Sequence, residues 1–116
     1  MHAEKQNIGY KAEEKALSFL AERGLKVVER NFRCRFGEID LIMLEGEVLV
    51  FIEVRKRKNR VFGGAAASVS PAKQQRLVRT AKFYLLGCAR IPVCRFDVVA
   101  FDGTECQWLK NVIEVH

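Results

Sequence analysis

Two apolar runs, Gly37-Glu38-Ile39-Asp40-Leu41-Ile42 and Val50-Phe51-Ile52-Glu53-Val54-Arg55-Lys56-Arg57, hold acids where the interior of a strand is ordinarily depleted of them. Both are otherwise rich in Ile, Leu, Val and Phe, and Glu45-Gly46 between them is a turn signal, so the pair reads as a β-hairpin. A two-residue turn there pairs Leu44 with Glu47. It sets Asp40 opposite Phe51 and Glu38 opposite Glu53, with Asp40 and Glu53 as diagonal neighbours on one face. Three carboxylates then share a patch. Like charges facing each other destabilise a sheet and their burial costs more still, so the arrangement predicts a cation that holds them together, a divalent metal foremost.

The other metal-binding residue types narrow that cation. Cys34, Cys88, Cys94 and Cys106 are irregularly spaced without a C-x-x-C pair, which favours reduced, mostly buried thiols over a zinc site or disulfides. His2 and His116 stand at the two ends of the sequence. Oxygen donors remain, and they suit Mg2+ or Mn2+ better than zinc. With 116 residues, 49% of them hydrophobic, residues 1–116 read as a single domain that buries roughly two-thirds of its extended surface. No apolar run approaches the ~20 residues of a membrane span, and the segment from Met1 to Lys15 lacks the apolar core of a signal peptide. The expected address is the cytoplasm, with no membrane partner.

The net charge of +6 is clustered. Arg55, Lys56, Arg57, Lys58 and Arg60 form one run, and Lys73, Arg76, Arg79 and Lys82 follow in the next helical segment. A basic stripe beside an acidic patch suits a phosphate backbone held next to a metal; the alternative is a solvated face that keeps a small protein soluble.

The layout reads helix, three strands, loop, helix, two strands. A first helix over about 7–23 carries Ala12, Ala16, Leu17, Phe19 and Leu20 on one side and stops at Gly24; a first strand over 25–33 precedes the hairpin. Residues 61–70 form a loop containing Gly63-Gly64, Ser70-Pro71 opens the second helix with a capping serine, and Gly87 closes it. Strands over 96–101 and 107–115, joined through Asp102-Gly103, complete an α/β sandwich with a largely buried sheet.

Helical periodicity puts Glu13 on or beside the apolar face, pointing at the sheet, and Glu14 on the wet side with Lys11, Ser18 and Glu22. Glu13 is either a site acid or an edge-of-core partner for an arginine. Asp97, in Arg95-Phe96-Asp97-Val98, is a strand acid of the kind that pairs with an arginine, and it is left out of the site. Phe51, Glu53, Arg55 and Arg57 share one face of their strand while Lys56 points to the other. Arg55 is therefore placed to meet whatever Glu53 binds, as a counter-ion for the acids or as a stabiliser of charge on a phosphoryl group.

Asp40 followed by Glu53-Val54-Arg55 resembles the PD-(D/E)xK signature of the restriction-endonuclease-like nucleases. More closely, the chain resembles the YraN family of small bacterial proteins. The motifs that carry this are Gly9 to Ala16 with Glu13 in place, Arg30-Asn31-Phe32-Arg33, Gly37 to Ile42, Phe51 to Arg57, Lys73 to Leu77, and Arg95 to Val99. Two positions depart: Ala12 stands for the glycine before the glutamate, and Arg55 for the signature lysine. The resemblance implies a restriction-endonuclease-like sandwich, a central mixed five-stranded sheet flanked by helices, similar to archaeal Holliday-junction resolvases. It implies Asp40 and Glu53 as direct ligands of magnesium or manganese, Glu13 acting through a metal-bound water, and Glu38 behind them. Arg55, Arg57 and Lys73 would hold the scissile phosphate, and Lys58, Arg60 and Arg76 the rest of a nucleic acid, DNA foremost. The implied activity is metal-dependent endonucleolytic hydrolysis; the alternatives left open are a non-catalytic binding module on a retired nuclease fold and, for assembly, a homodimer.

Overall fold

The computed structural model describes residues 3–57, 69–103 and 105–113, and the side chains of all of these except 3–10, 57 and 102. The elements follow the expected order: α1 (Ala3–Ala21), β1 (Lys26–Cys34), β2 (Gly37–Glu45), β3 (Val48–Arg57), α2 (Pro71–Leu85), β4 (Cys94–Asp102) and β5 (Glu105–Leu109). Lys58, Arg60 and most of the anticipated 61–70 loop lie outside the described residues.

The five strands form one mixed sheet in sequence order. Neighbours are antiparallel except β3 and β4, which run parallel and are therefore joined by a crossover through α2. Each helix covers one face. Ala16 and Leu20 of α1 are fully buried against Leu41, Met43, Val50, Ile52 and Val99. Leu77 and Ala81 of α2 pack on Ile42, Leu49, Phe51, Phe96 and Val98 of the opposite face, where Phe51 stacks on Phe96 with ring centroids 5.2 Å apart. The four cysteines are half-buried and unlinked rather than mostly buried as expected.

Local chemistry explains the ends. At Gly24, φ is +96°, and the Leu25 N–H bonds back to the Leu20 carbonyl, a left-handed glycine cap that turns α1 into β1. The Ser70 hydroxyl accepts the Lys73 N–H at 3.2 Å, which caps α2, with Pro71 at its first position. Gly87 closes α2 from the position just past the cap. The helix ends at Leu85 with Leu86 as its cap, and the Gly87 N–H reaches the Tyr84 carbonyl.

Three further expectations are corrected. The hairpin turn is Gly46-Glu47, with Gly46 at φ +61° in the glycine-first pattern of a type II′ turn, so Glu45 pairs with Val48 and Ile42 with Phe51. The register is thus two residues from the one expected; side-chain parity along the paired residues is unchanged, and the pairing ends at Leu41–Ile52, one step before Asp40. Second, β5 ends at Leu109 because the chain then turns through Asn111 (φ +55°), whose N–H goes to Asp97, and the Val112 N–H goes to the Phe96 carbonyl. Third, Glu14 does not sit on the wet side alone: it is half-buried and paired with Arg30 of β1.

Candidate active site

The site begins with a fault in the sheet. Between the pairs Arg30–Leu41 and Phe32–Ile39, Asn31 takes φ +53°, a left-handed conformation that asparagine tolerates better than most residues. Side-chain alternation resets at this step, since Ile39 packs with the α2 side of the core and Leu41 with the α1 side. Asp40 lies at the reset. The β2–β3 pairs run from Glu45–Val48 to Leu41–Ile52, and immediately past them the Asp40 carboxylate accepts the Val54 N–H at 2.8 Å.

Glu53, across the fork, is buried at 7% exposure, and its Oε1 is met by two cations: Lys73 Nζ at 2.7 Å and Arg55 Nη1 at 3.7 Å. Lys73 arrives from the first turn of α2, where the Ser70 cap and Pro71 set the direction of the helix. The other basic residues of α2 behave differently. Arg76, Arg79 and Lys82 are exposed at three-residue spacing on the solvent side. Gly37 lets the start of β2 pass close to this helix: a Cβ there would stand 3.1 Å from Thr80 Oγ1 and 4.0 Å from Arg76 Cβ.

The acids act on one another. Burial, followed by the charge of Glu53, pushes the Asp40 carboxyl up to about 7, with Glu13 and Glu38 adding to the rise and the Val54 N–H opposing it. Glu13 is half-buried on α1, as its periodicity predicted, and is felt at Asp40. Glu38 is exposed and paired with Arg33 at 2.9 Å. Of the acids and cations singled out in the sequence, the structure therefore brings together Asp40, Glu53, Arg55 and Lys73, with Glu13 in electrostatic range and Glu38 turned outward. For Arg57 only the place on β3 is described.

Donor chemistry at this fork fits a hard divalent cation. Among the described residues no three Asp, Glu, His or Cys groups form a ready-made cage, but Mg2+ is usually held by one or two carboxylates and completed by water and substrate oxygens. Asp40 and Glu53 would hold it, and a cation there would relieve the repulsion that raises Asp40.

The raised Asp40 carboxyl gives a signed prediction. A carboxyl that titrates near 7 when folded and near 3.8 when unfolded binds more protons in the folded state between those values. Metal-free stability should accordingly fall as pH rises through that window, by up to a few kcal/mol, with the penalty complete above pH 7. Asp40→Asn keeps an oxygen for the Val54 N–H and carries no charge. Urea melts should show it as stable as wild type or more so at pH 8, with a flatter pH profile and no stabilisation by divalent ions. Strong destabilisation of the metal-free variant, together with a wild type indifferent to divalent ions, would sink the metal site.

The profile of the uncharacterised protein family UPF0102 matches residues 12–101. A UPF0102 protein of Herminiimonas arsenicoxydans is 54% identical over 110 residues, covering 95% of this chain and 89% of that protein. One from Janthinobacterium is equally similar, at 54% over 110 residues with the same coverage. A third, from Cupriavidus taiwanensis, is 50% identical over 111 residues, covering 95% of this chain and 85% of the relative.

Proposed function

This chain belongs to the uncharacterised family UPF0102, and from that premise we propose that it binds nucleic acid, DNA foremost, and hydrolyses phosphodiester bonds with magnesium or manganese. One observation carries the reading: a lysine from another element, Lys73, stands 2.7 Å from the buried acid of the signature, which Arg55 meets at 3.7 Å. Bound between Asp40 and Glu53, the metal would supply Lewis acidity toward a phosphoryl oxygen. Lys73, a compact ammonium held at Glu53, orients the attacking water and stabilises charge that develops in the transition state. Arg55 offers a planar fork to the phosphate. Asp40 must lose its proton before it binds a cation, so divalent affinity should weaken about tenfold per pH unit below 7, which metal titrations at pH 5.5 to 8 would measure.

The competing reading has its own observation. Glu53 is already met by Lys73 and Arg55, and such built-in counter-ions suit a binding module that needs no metal. Incubation with branched, single-stranded and duplex DNA in magnesium or manganese separates the two, with Asp40→Asn as the control.

Substrate contact is assigned to Arg57, Lys58, Arg60 and Arg76. Replacing two of the first three by alanine should lower the slope of log affinity against log salt by roughly 1 to 2, without altering sequence preference. An unchanged slope would place the phosphate contacts elsewhere. No helix of the described residues is long and apolar enough to cross a membrane. The cytoplasm, where unlinked thiols persist, is the proposed compartment.

A further inference from the structure

The α1 face of the sheet holds a cavity of about 280 Å³ that takes no part in the Asp40–Glu53 site; among the described residues, Lys11, Ala12, Lys15, Lys56, Phe101 and Gly103 line it. Lys11 and Lys15 are one turn apart on α1, hence on the same side of the helix, and Ala12 between them packs on the core. Lys56 and Phe101 are register partners in the parallel β3–β4 pair, and Phe101, 9% exposed, belongs to the α1-side core. Gly103 sits in a turn at φ +63°. Strand alternation divides the basic run: Arg55 goes with Glu53 toward α2, and Lys56 goes toward α1.

All three lysines are exposed, and among the described residues no carboxylate forms an ion pair with any of them; the neighbouring Glu14 is taken by Arg30. Three like charges around a concave wall floored by Ala12 and Phe101 repel one another and focus a positive potential into the cavity. A dianion relieves that repulsion more than a carboxylate does, and lysine is a proven point-charge binder of phosphate. The volume sits just below the ~300 Å³ at which ligand pockets begin, room for one nucleotide unit and too little for duplex.

We propose that this cavity binds the phosphate group of a single nucleotide unit through Lys11, Lys15 and Lys56, with the nucleoside against Ala12 and Phe101. The site is separate from the hydrolytic reading. The phosphate belongs either to a free nucleotide or to the 5′ end of a strand.

The test measures equilibrium binding at fixed ionic strength in EDTA, so that no cleavage is read and the hydrolytic reading stands or falls independently. The probes are AMP and one short single-stranded oligonucleotide with and without a 5′-phosphate. The proteins are wild type, Lys15→Gln with Lys56→Gln, and the charge-matched control Lys26→Gln with Arg90→Gln, all at exposed positions. Binding of AMP identifies the free nucleotide. A 5′-phosphate advantage of about tenfold without AMP binding identifies the strand end. In either case the Lys15/Lys56 variant should lose the effect and the control keep it. Equal affinity for both oligonucleotides with no AMP binding overturns the proposal, as does a phosphate effect that survives in the Lys15/Lys56 variant or disappears equally in the control.

Discussion

Asp97→Ala should lower the unfolding free energy by about 3–5 kcal/mol, the expected loss when one partner of a buried ion pair is removed. Asp97 is 1% exposed and accepts from three donors: the Arg95 Nε–H, bifurcated over both oxygens at 3.0 and 3.1 Å, Trp108 Nε1 at 2.9 Å, and the Asn111 N–H at 2.9 Å. Arg95 in turn reaches Glu45 at 2.7 Å. One carboxylate thus ties β4 to β5, to the turn after it and, through Arg95, to the end of β2. Its removal leaves the Arg95 Nε–H, the Trp108 indole N–H and the Asn111 N–H without their acceptor together. Urea denaturation should show a lower midpoint at an unchanged slope. A loss below about 1 kcal/mol would mean that the network contributes no more than a surface pair.

Lys73→Ala should depress cleavage by about tenfold or more while DNA binding is largely retained, as expected of a group that acts mainly in the transition state. The 2.7 Å contact with Glu53 puts its ammonium at the site from α2, where a signature lysine would otherwise come from β3. If the fold is instead retired, wild type and Lys73→Ala are both inert, and Arg55→Lys restores a trace of metal-dependent cleavage. The three proteins are compared on the same branched and single-stranded substrates. Undiminished cleavage in Lys73→Ala excludes the migrated lysine, and cleavage that persists in Asp40→Asn belongs to a contaminant.

Much of this arrangement was legible because its signals are local. Gly24, the Ser70-Pro71 cap and the alternation through Phe51, Glu53 and Arg55 each depend on residues within a turn or a strand, and Asp97, a lone strand acid, read as an arginine's partner, which Arg95 is. The hairpin register was less legible. Both Glu45-Gly46 and Gly46-Glu47 are acceptable turns on composition, and only the glycine-first geometry decides between them. A two-residue shift keeps side-chain parity along the paired residues, so Glu53 stays on the face it was expected to share with Phe51 and Arg55. The reset at Asp40 was not legible at all, since it depends on Asn31 of another strand. Helical periodicity likewise could not place Glu14, whose partner Arg30 comes from the neighbouring strand.

During synthesis, β1, β2 and β3 emerge in succession and pair through local turns, whereas Leu49 of β3 waits for Cys94, forty-five residues later. Until β4 arrives, β3 presents an open edge flanked by Val50, Phe51 and Ile52, a form prone to pair with a second nascent chain. α2 is made first and supplies Leu77 and Ala81 to cover the Phe51 side. The other guard is the charge of Arg55, Lys56 and Arg57 at the end of the same edge, a gatekeeper against aggregation. Neutralising that run should therefore lower soluble yield even in a protein that never meets DNA.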